Sequence, residues 1–174
     1  MTKLKSFRDL RVYQELRQLH LVVHEESLRF PKFELYELGS QIRRSSNSAP
    51  ANVAEGWASR HTNVYIECIN RALGEIQETQ HHLSVAKDKG YMTEARFLEL
   101  DGRYKACCRM LEKLHQALSE WHGTTRTGYT VREHREPYAV VADLQDWEEC
   151  LPDDSWAETL ENDQHSPRHP TPGT

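Results

Sequence analysis

Over the first 120 residues, apolar side chains recur at steps of three and four, the spacing that gathers one face of an α-helix. The first such segment runs from Arg8 to Leu28, with Val12, Leu16, Leu19, Val23 and Ser27 on one line. Ser6 offers a cap three residues before Asp9, and Phe30-Pro31 stops the helix because the residue before proline is pushed out of the α region. The third segment, Asn63 to Lys89, places Tyr65, Cys68, Ala72, Ile76, Thr79, Leu83 and Ala86 on its core face. Thr62 or Asn63 can cap it, and Lys87, Lys89 and Gly90 form a stop signal. The fourth, Thr93 to Trp121, has the cleanest period, through Phe97, Leu100, Tyr104, Cys107, Leu111, Leu114, Leu118 and Trp121. Gly123 is expected to end it.

The second segment, Glu34 to Ala58, is different in kind. Leu35, Leu38, Ile42, Ala49 and Val53 make its apolar line, and Gln41, Ser45, Ser48, Asn52 and Glu55 make a second, polar one. Ser45, Ser46, Ser48, Ala49, Ala51 and Ala54 give it the thinnest profile of the four, so neighbouring backbones can approach closely, and Ala54 is expected in a tight contact. Pro50 lies inside it, removing one hydrogen bond and predicting a bend, while Gly56 suggests its end. Four long helices with short connections and almost no strand signal define the fold class as all-α, an antiparallel up-down four-helix bundle over residues 1–122.

Charge and composition change the picture mainly after Gly123. The net charge is −5, with 37% hydrophobic and 28% charged residues. Residues 1–122 hold 18 Lys and Arg against 16 Asp and Glu, whereas residues 123–174 hold 4 against 11. The latter, with Pro137, Pro152 and the ending Ser166-Pro-Arg-His-Pro-Thr-Pro-Gly-Thr, reads as an irregular, largely disordered acidic extension. Leu144, Trp147, Leu151, Trp156 and Leu160 are spaced among its acids, and Ser155 with Glu158 predicts a short helix near Trp156–Leu160. An acidic-aromatic peptide of this kind can dock on a basic or apolar groove, including one on its own bundle. No apolar run is long enough for a membrane span and no secretory leader is seen, so a cytoplasmic location is expected. Cys68, Cys107, Cys108 and Cys150 show no zinc spacing and are expected as reduced thiols.

The second segment also carries a resemblance. Phe30-Pro-Lys-Phe-Glu34-Leu-Tyr-Glu-Leu38-Gly-Ser-Gln41-Ile-Arg43-Arg44-Ser45 and Ser48-Ala-Pro50-Ala-Asn52-Val-Ala-Glu55-Gly56 closely resemble the four-helix bundle protein family. That family includes proteins encoded in intervening sequences of bacterial 23S rRNA genes, and the chain is similar to the accessory variability protein of diversity-generating retroelements. Phe7-Arg-Asp-Leu10-Arg-Val12-Tyr13, Ala72-Leu-Gly74-Glu75-Ile-Gln-Glu78-Thr and Gly90-Tyr91 extend the match over roughly residues 6–120. The resemblance implies a protomer that assembles into a ring, typically a homopentamer, without catalytic activity or cofactor. It further implies a scaffold for a reverse transcriptase and its RNA.

Individual residues sharpen these expectations. Gln41, Asn52 and Glu55, with Glu75 and Glu78 as partners for Arg43 or Arg44, are expected as a structural polar interface between helices or subunits. Arg43, Arg44 and Arg60 are the candidates for nucleic-acid or partner binding, followed by Lys3, Lys5, Arg8 and Arg11. Repeated around a ring, such cations would line a positive surface. Glu78-Thr-Gln-His81 and Glu112-Lys-Leu-His115 share the Glu-x-x-His spacing of di-iron carboxylate bundles, but Glu78 lies about 200° from the core residue Ile76, and no metal site is expected. The leading function is a non-enzymatic oligomeric accessory protein for a nucleic-acid enzyme. The alternatives are a protein–protein adaptor without a nucleic-acid role and, from another class, a di-iron bundle enzyme.

Overall fold

The structure, a computed structural model, describes residues 4–127. The bundle of the first 122 residues lies almost wholly inside that range. The acidic extension, with the short helix expected near Trp156–Leu160, lies outside it, save for the first residues after Gly123.

Among the described residues there are four α-helices and no strand: α1 Arg11–Leu28, α2 Leu38–Ala58, α3 Thr62–Asp88 and α4 Glu94–Thr127. Each neighbouring pair is antiparallel, as its cross-links show. Between α1 and α2, His20 meets Ser46 and Ser27 meets Arg43. Between α2 and α3, Ser45 meets Thr79 and Glu55 meets Arg71. Between α3 and α4, Gln80 meets Asp101 and Lys87 meets Glu94. Between α4 and α1, Arg103 meets Glu15 and Arg96 meets Glu26. As residue numbers rise on one helix they fall on its partner, so the helices run up, down, up and down, and α4 closes the bundle on α1.

The four apolar lines form one core. Val12, Leu16, Leu19, Val23 and Ser27 are the buried residues of α1. All seven residues expected on the α3 core face are buried, joined by Ile69 and Thr62. On α4, Leu100, Tyr104, Cys107, Leu111, Leu114 and Leu118 are buried, while Phe97 packs at the core's edge. Cys68 and Cys107 are buried free thiols and Cys108 is half-buried. Burial pushes the Cys108 thiol up to about 11 and the Cys107 thiol higher still, so neither is a reactive thiolate at neutral pH.

The helix ends depart from expectation in four places. Ser6 does form a capping box, its hydroxyl taking the Arg8 N–H while Asp9 takes the Ser6 N–H. It caps a single 3-10 turn, Phe7–Asp9, and α1 begins only at Arg11 after the extended Leu10. Residues Lys32–Leu35 also form a 3-10 turn and not the start of α2, which begins at Leu38. Pro31 enters that turn in an extended conformation and Glu37 interrupts the helical backbone behind it. On α3, Thr62 is the first helical residue and His61 precedes it without a side-chain cap, so neither Thr62 nor Asn63 caps the helix. Gly123 does not end α4, which continues to Thr127. A lone glycine weakens a helix by about 1 kcal/mol relative to alanine but does not stop it.

The stop signal after α3 holds. The turn after α3 closes as a Schellman motif: Gly90 N–H donates to Lys87 O, Tyr91 N–H donates to Ala86 O, and Gly90 takes φ 73°. Gly90→Ala is therefore expected to cost about 1 kcal/mol through the left-handed backbone, since nothing lies near its missing Cβ. Urea denaturation, read as a shifted midpoint at unchanged slope, checks this. Helix α2 passes through Pro50 unbroken, with the ring buried in the bundle. Ala54, expected in a tight contact, is only half-buried, and the close approach belongs to Gly56.

Candidate assembly and nucleic-acid interface

The second line of α2 and the outer side of α3 together make a polar seam. At its floor, Thr79 Oγ1 donates to the Glu75 carbonyl (2.8 Å) and shares a hydroxyl–hydroxyl hydrogen bond with Ser45 Oγ (2.9 Å), so two buried hydroxyls join the helices where larger side chains would hold them apart. Above them, Arg44 Nη2 reaches Glu78 Oε1 at 3.0 Å, and His82 Nε2 lies 3.5 Å from the same oxygen. Further along, Arg71 Nη2 sits 3.4 Å from Glu55 Oε1 and 3.1 Å from Cys68 Sγ.

Glu75 stands between these pairs without one of its own. Its Oε2 is buried and meets no hydrogen-bond partner among the described residues. Burial, then the neighbouring Glu78 carboxylate, pushes its proton affinity up, with Arg44 opposing. A carboxyl whose folded pKa is raised contributes stability below its ordinary range and loses it as pH rises through the folded value. Glu75→Gln should therefore raise Tm by about 1–3 °C at pH 7, and the gain should shrink toward pH 4 as Glu75 itself becomes protonated. Thermal melts at both pH values test this.

The seam gathers four of the five expected interface residues. Glu55 and Glu78 bridge the helices through Arg71 and Arg44, and Glu75 is held against them. Asn52 is in the line but its Nδ2 donates to Ser48 O of its own helix (2.9 Å), so it makes no bond between helices. Gln41 is exposed and makes no side-chain hydrogen bond among the described residues.

The three candidate cations part company. Arg43 is not a surface group: Nη1 donates to Ser27 Oγ (3.0 Å) and Nη2 to the Leu35 carbonyl (2.6 Å), tying α1, the 3-10 turn and α2 together. Gly39 makes room for it, since a Cβ there would lie 3.0 Å from Arg43 Nη1 and 2.9 Å from the Glu34 carbonyl. Neither Glu75 nor Glu78 is its partner. Arg44 is exposed but paired with Glu78, and Arg60 stands exposed in the α2–α3 turn. A further set of cations surrounds the start of α1, where Arg8, Arg11, Tyr13, Gln14, Glu15, Arg17 and Gln18 border one open depression. Lys3 lies outside the described residues.

Sequence reasoning missed Glu34. Its carboxylate is 4% exposed and accepts from Lys89 Nζ (2.6 Å), Tyr91 Oη (3.1 Å) and the Leu38 N–H (3.4 Å). The Lys89 bond, reinforced by those from Tyr91 and Leu38, holds it below the ordinary carboxylate range despite burial. Phe30 packs on the Tyr91 ring with centroids 5.5 Å apart. The α1–α2 corner is thus locked to the α3–α4 turn. Both halves stand in the resembling motifs, but their 55-residue separation hides the pairing. Phe33 and Tyr36 flank Glu34 and are 69% and 86% exposed.

Neither Glu-x-x-His pair forms a site. Glu78 is engaged by Arg44 and His82 while His81 is exposed, and Glu112 faces outward. Among the described residues no three His, Cys, Asp or Glu side chains lie close enough to hold a metal ion. No helix there is long and apolar enough to cross a membrane.

A bundle of four antiparallel helices whose chemistry-bearing side chains mostly tie helix to helix, with cations and aromatics left on its surface, belongs to the class of all-α four-helix proteins. The family profile of the 23S rRNA-intervening sequence protein matches residues 8–113, and the chain belongs to that family. No curated protein matches it.

Proposed function

We propose that this protein is a non-catalytic, self-assembling accessory protein that supports a nucleic-acid enzyme, such as the reverse transcriptase of a diversity-generating retroelement and its RNA. The observation that carries this reading is the division of its polar side chains. Those in the interior, Arg43, Glu34, Ser45 and Thr79, are consumed in holding helices together. Those left over are exposed cations, Arg11, Arg17 and Arg60, and exposed apolar groups, Leu28, Phe33 and Tyr36. That combination suits contact with other macromolecules. Membership of the intervening-sequence protein family supports an accessory role. On this reading copies meet in a ring, a homopentamer, through Phe33 and Tyr36. Arg44 and Arg60 are then repeated around it toward nucleic acid or a partner.

The acid excess, −5 overall, favours a second reading in which the ring is a protein–protein adaptor without nucleic acid. Native mass spectrometry of gently purified protein separates these. A metal-free pentamer carrying RNA is the expected result, and a pentamer free of RNA selects the adaptor. A monomer, or a dimer with two irons per chain, overturns both.

A further inference from the structure

We infer that the acidic stretch 143–163 of this chain is the occupant of the arginine face at the start of α1, on the same molecule. The inference does not depend on the assembly reading above.

The face itself is unbalanced. Arg8, Arg11 and Arg17 are exposed, and none has an ion partner within 4 Å among the described residues. The two acids beside them are already engaged. Asp9 Oδ2 accepts the Lys5 and Ser6 N–H groups at 2.7 and 2.9 Å, and Glu15 is paired with Arg103 at 2.8 Å. One turn beyond Arg17 on the same outward line stands Leu21, 45% exposed. The surface therefore offers cations followed by an apolar step.

The stretch 143–163 presents the complement. It holds nine Asp and Glu and neither Lys nor Arg, with Leu144, Trp147, Leu151, Trp156 and Leu160 set among the acids. Topology brings the two within reach. Since α4 runs down against α1 with Arg103 level with Glu15, Arg11 is level with about residue 107 of α4. From there α4 continues 20 residues to Thr127, about 30 Å past Arg11. Asp143 follows Thr127 by 16 residues, which can span up to about 53 Å. The returning chain covers the distance with slack, and the link makes the encounter intramolecular, at an effective concentration on the order of millimolar. A free polyanion must compete against that.

Cys150 sits inside the stretch and supplies the probe. In the full chain carrying Cys108→Ser, Cys68 and Cys107 are buried, so a benzophenone maleimide labels Cys150. After photolysis, peptide mass spectrometry maps the attachments, and a mixture of ¹⁴N and ¹⁵N chains separates links within a chain from links between chains. The expected result is attachment to residues 8–21 of the same chain in low salt. It should fall at least about fivefold near 1 M salt, where the screening length is about 3 Å. The double variant Arg11→Glu/Arg17→Glu should lose it to the same degree while its helicity by circular dichroism is unchanged. Attachment elsewhere on the bundle, attachment mainly between chains, or attachment indifferent to the charge reversal overturns the inference. So does RNA retained on the face that must be digested before any link to α1 forms.

Discussion

Gly56→Ala is expected to destabilise the bundle by up to about 2 kcal/mol, although alanine is the better helix former. Gly56 lies in the last turn of α2, buried, where a Cβ would fall 2.4 Å from Tyr65 Cδ2, 2.9 Å from Tyr65 Cε2 and 2.9 Å from Cys68 Cβ. Tyr65 and Cys68 are themselves completely enclosed, so neither can turn aside without disturbing the core. Overpacking of this kind costs about 1–3 kcal/mol and exceeds the roughly 1 kcal/mol that replacing a helical glycine returns. The control is built into the same molecule. Gly74 is exposed on α3 and has nothing within 4 Å of its missing Cβ, so Gly74→Ala should stabilise by about 0.5–1 kcal/mol. Urea titrations of the two variants should move in opposite directions. If Gly56→Ala is as stable as the parent, the α2–α3 packing is looser than the structure shows.

The second large effect is expected at Glu34. Glu34→Ala removes the acceptor shared by Lys89, Tyr91 and the Leu38 N–H and should lower Tm by on the order of 5–10 °C. Lys89 is 45% exposed and can turn to water, so its ion pair is the lesser part. The greater part is the half-buried tyrosine hydroxyl and the buried backbone amide left without their acceptor. Glu34→Gln keeps an acceptor oxygen and should lose less. The pH dependence has a definite sign. Because the folded carboxyl sits below its ordinary value of 4.5, its contribution is complete above that pH and is lost as pH falls through the folded value. The Tm gap between parent and Glu34→Gln should thus be widest at pH 6–7 and close on acidification. A gap that persists unchanged at pH 3 would assign the effect to packing and not to charge.

These two residues mark where sequence reading reaches and where it stops. The four helices were legible because burial on one side forces a 3.6-residue period, and α1, α3 and α4 bury almost the residues that period selects. The Gly90 stop was legible because a left-handed helix end asks for glycine by itself. Gly123 carries the same letter but lies within α4, whose helical backbone runs on to Thr127, and only the structure shows which glycine stops a helix. Arg43 and Arg44 are adjacent in sequence and looked equivalent as surface cations. About 100° of helical rotation sends one inward to Ser27 and Leu35 and the other outward to Glu78.

What the sequence alone determined is therefore local: which stretches are helical, which side of each is apolar, and that α2 is thin enough for close contact. What only the tertiary structure decided is pairing. The close contact fell on Gly56 and not Ala54 because Tyr65 of α3 crosses there. Glu34 found Lys89 and Tyr91 because two corners distant in sequence meet at one end of the bundle. Periodicity records the direction of the core along each helix. It carries no information about the rotation and register of one helix against the next, which the fit of side chains sets.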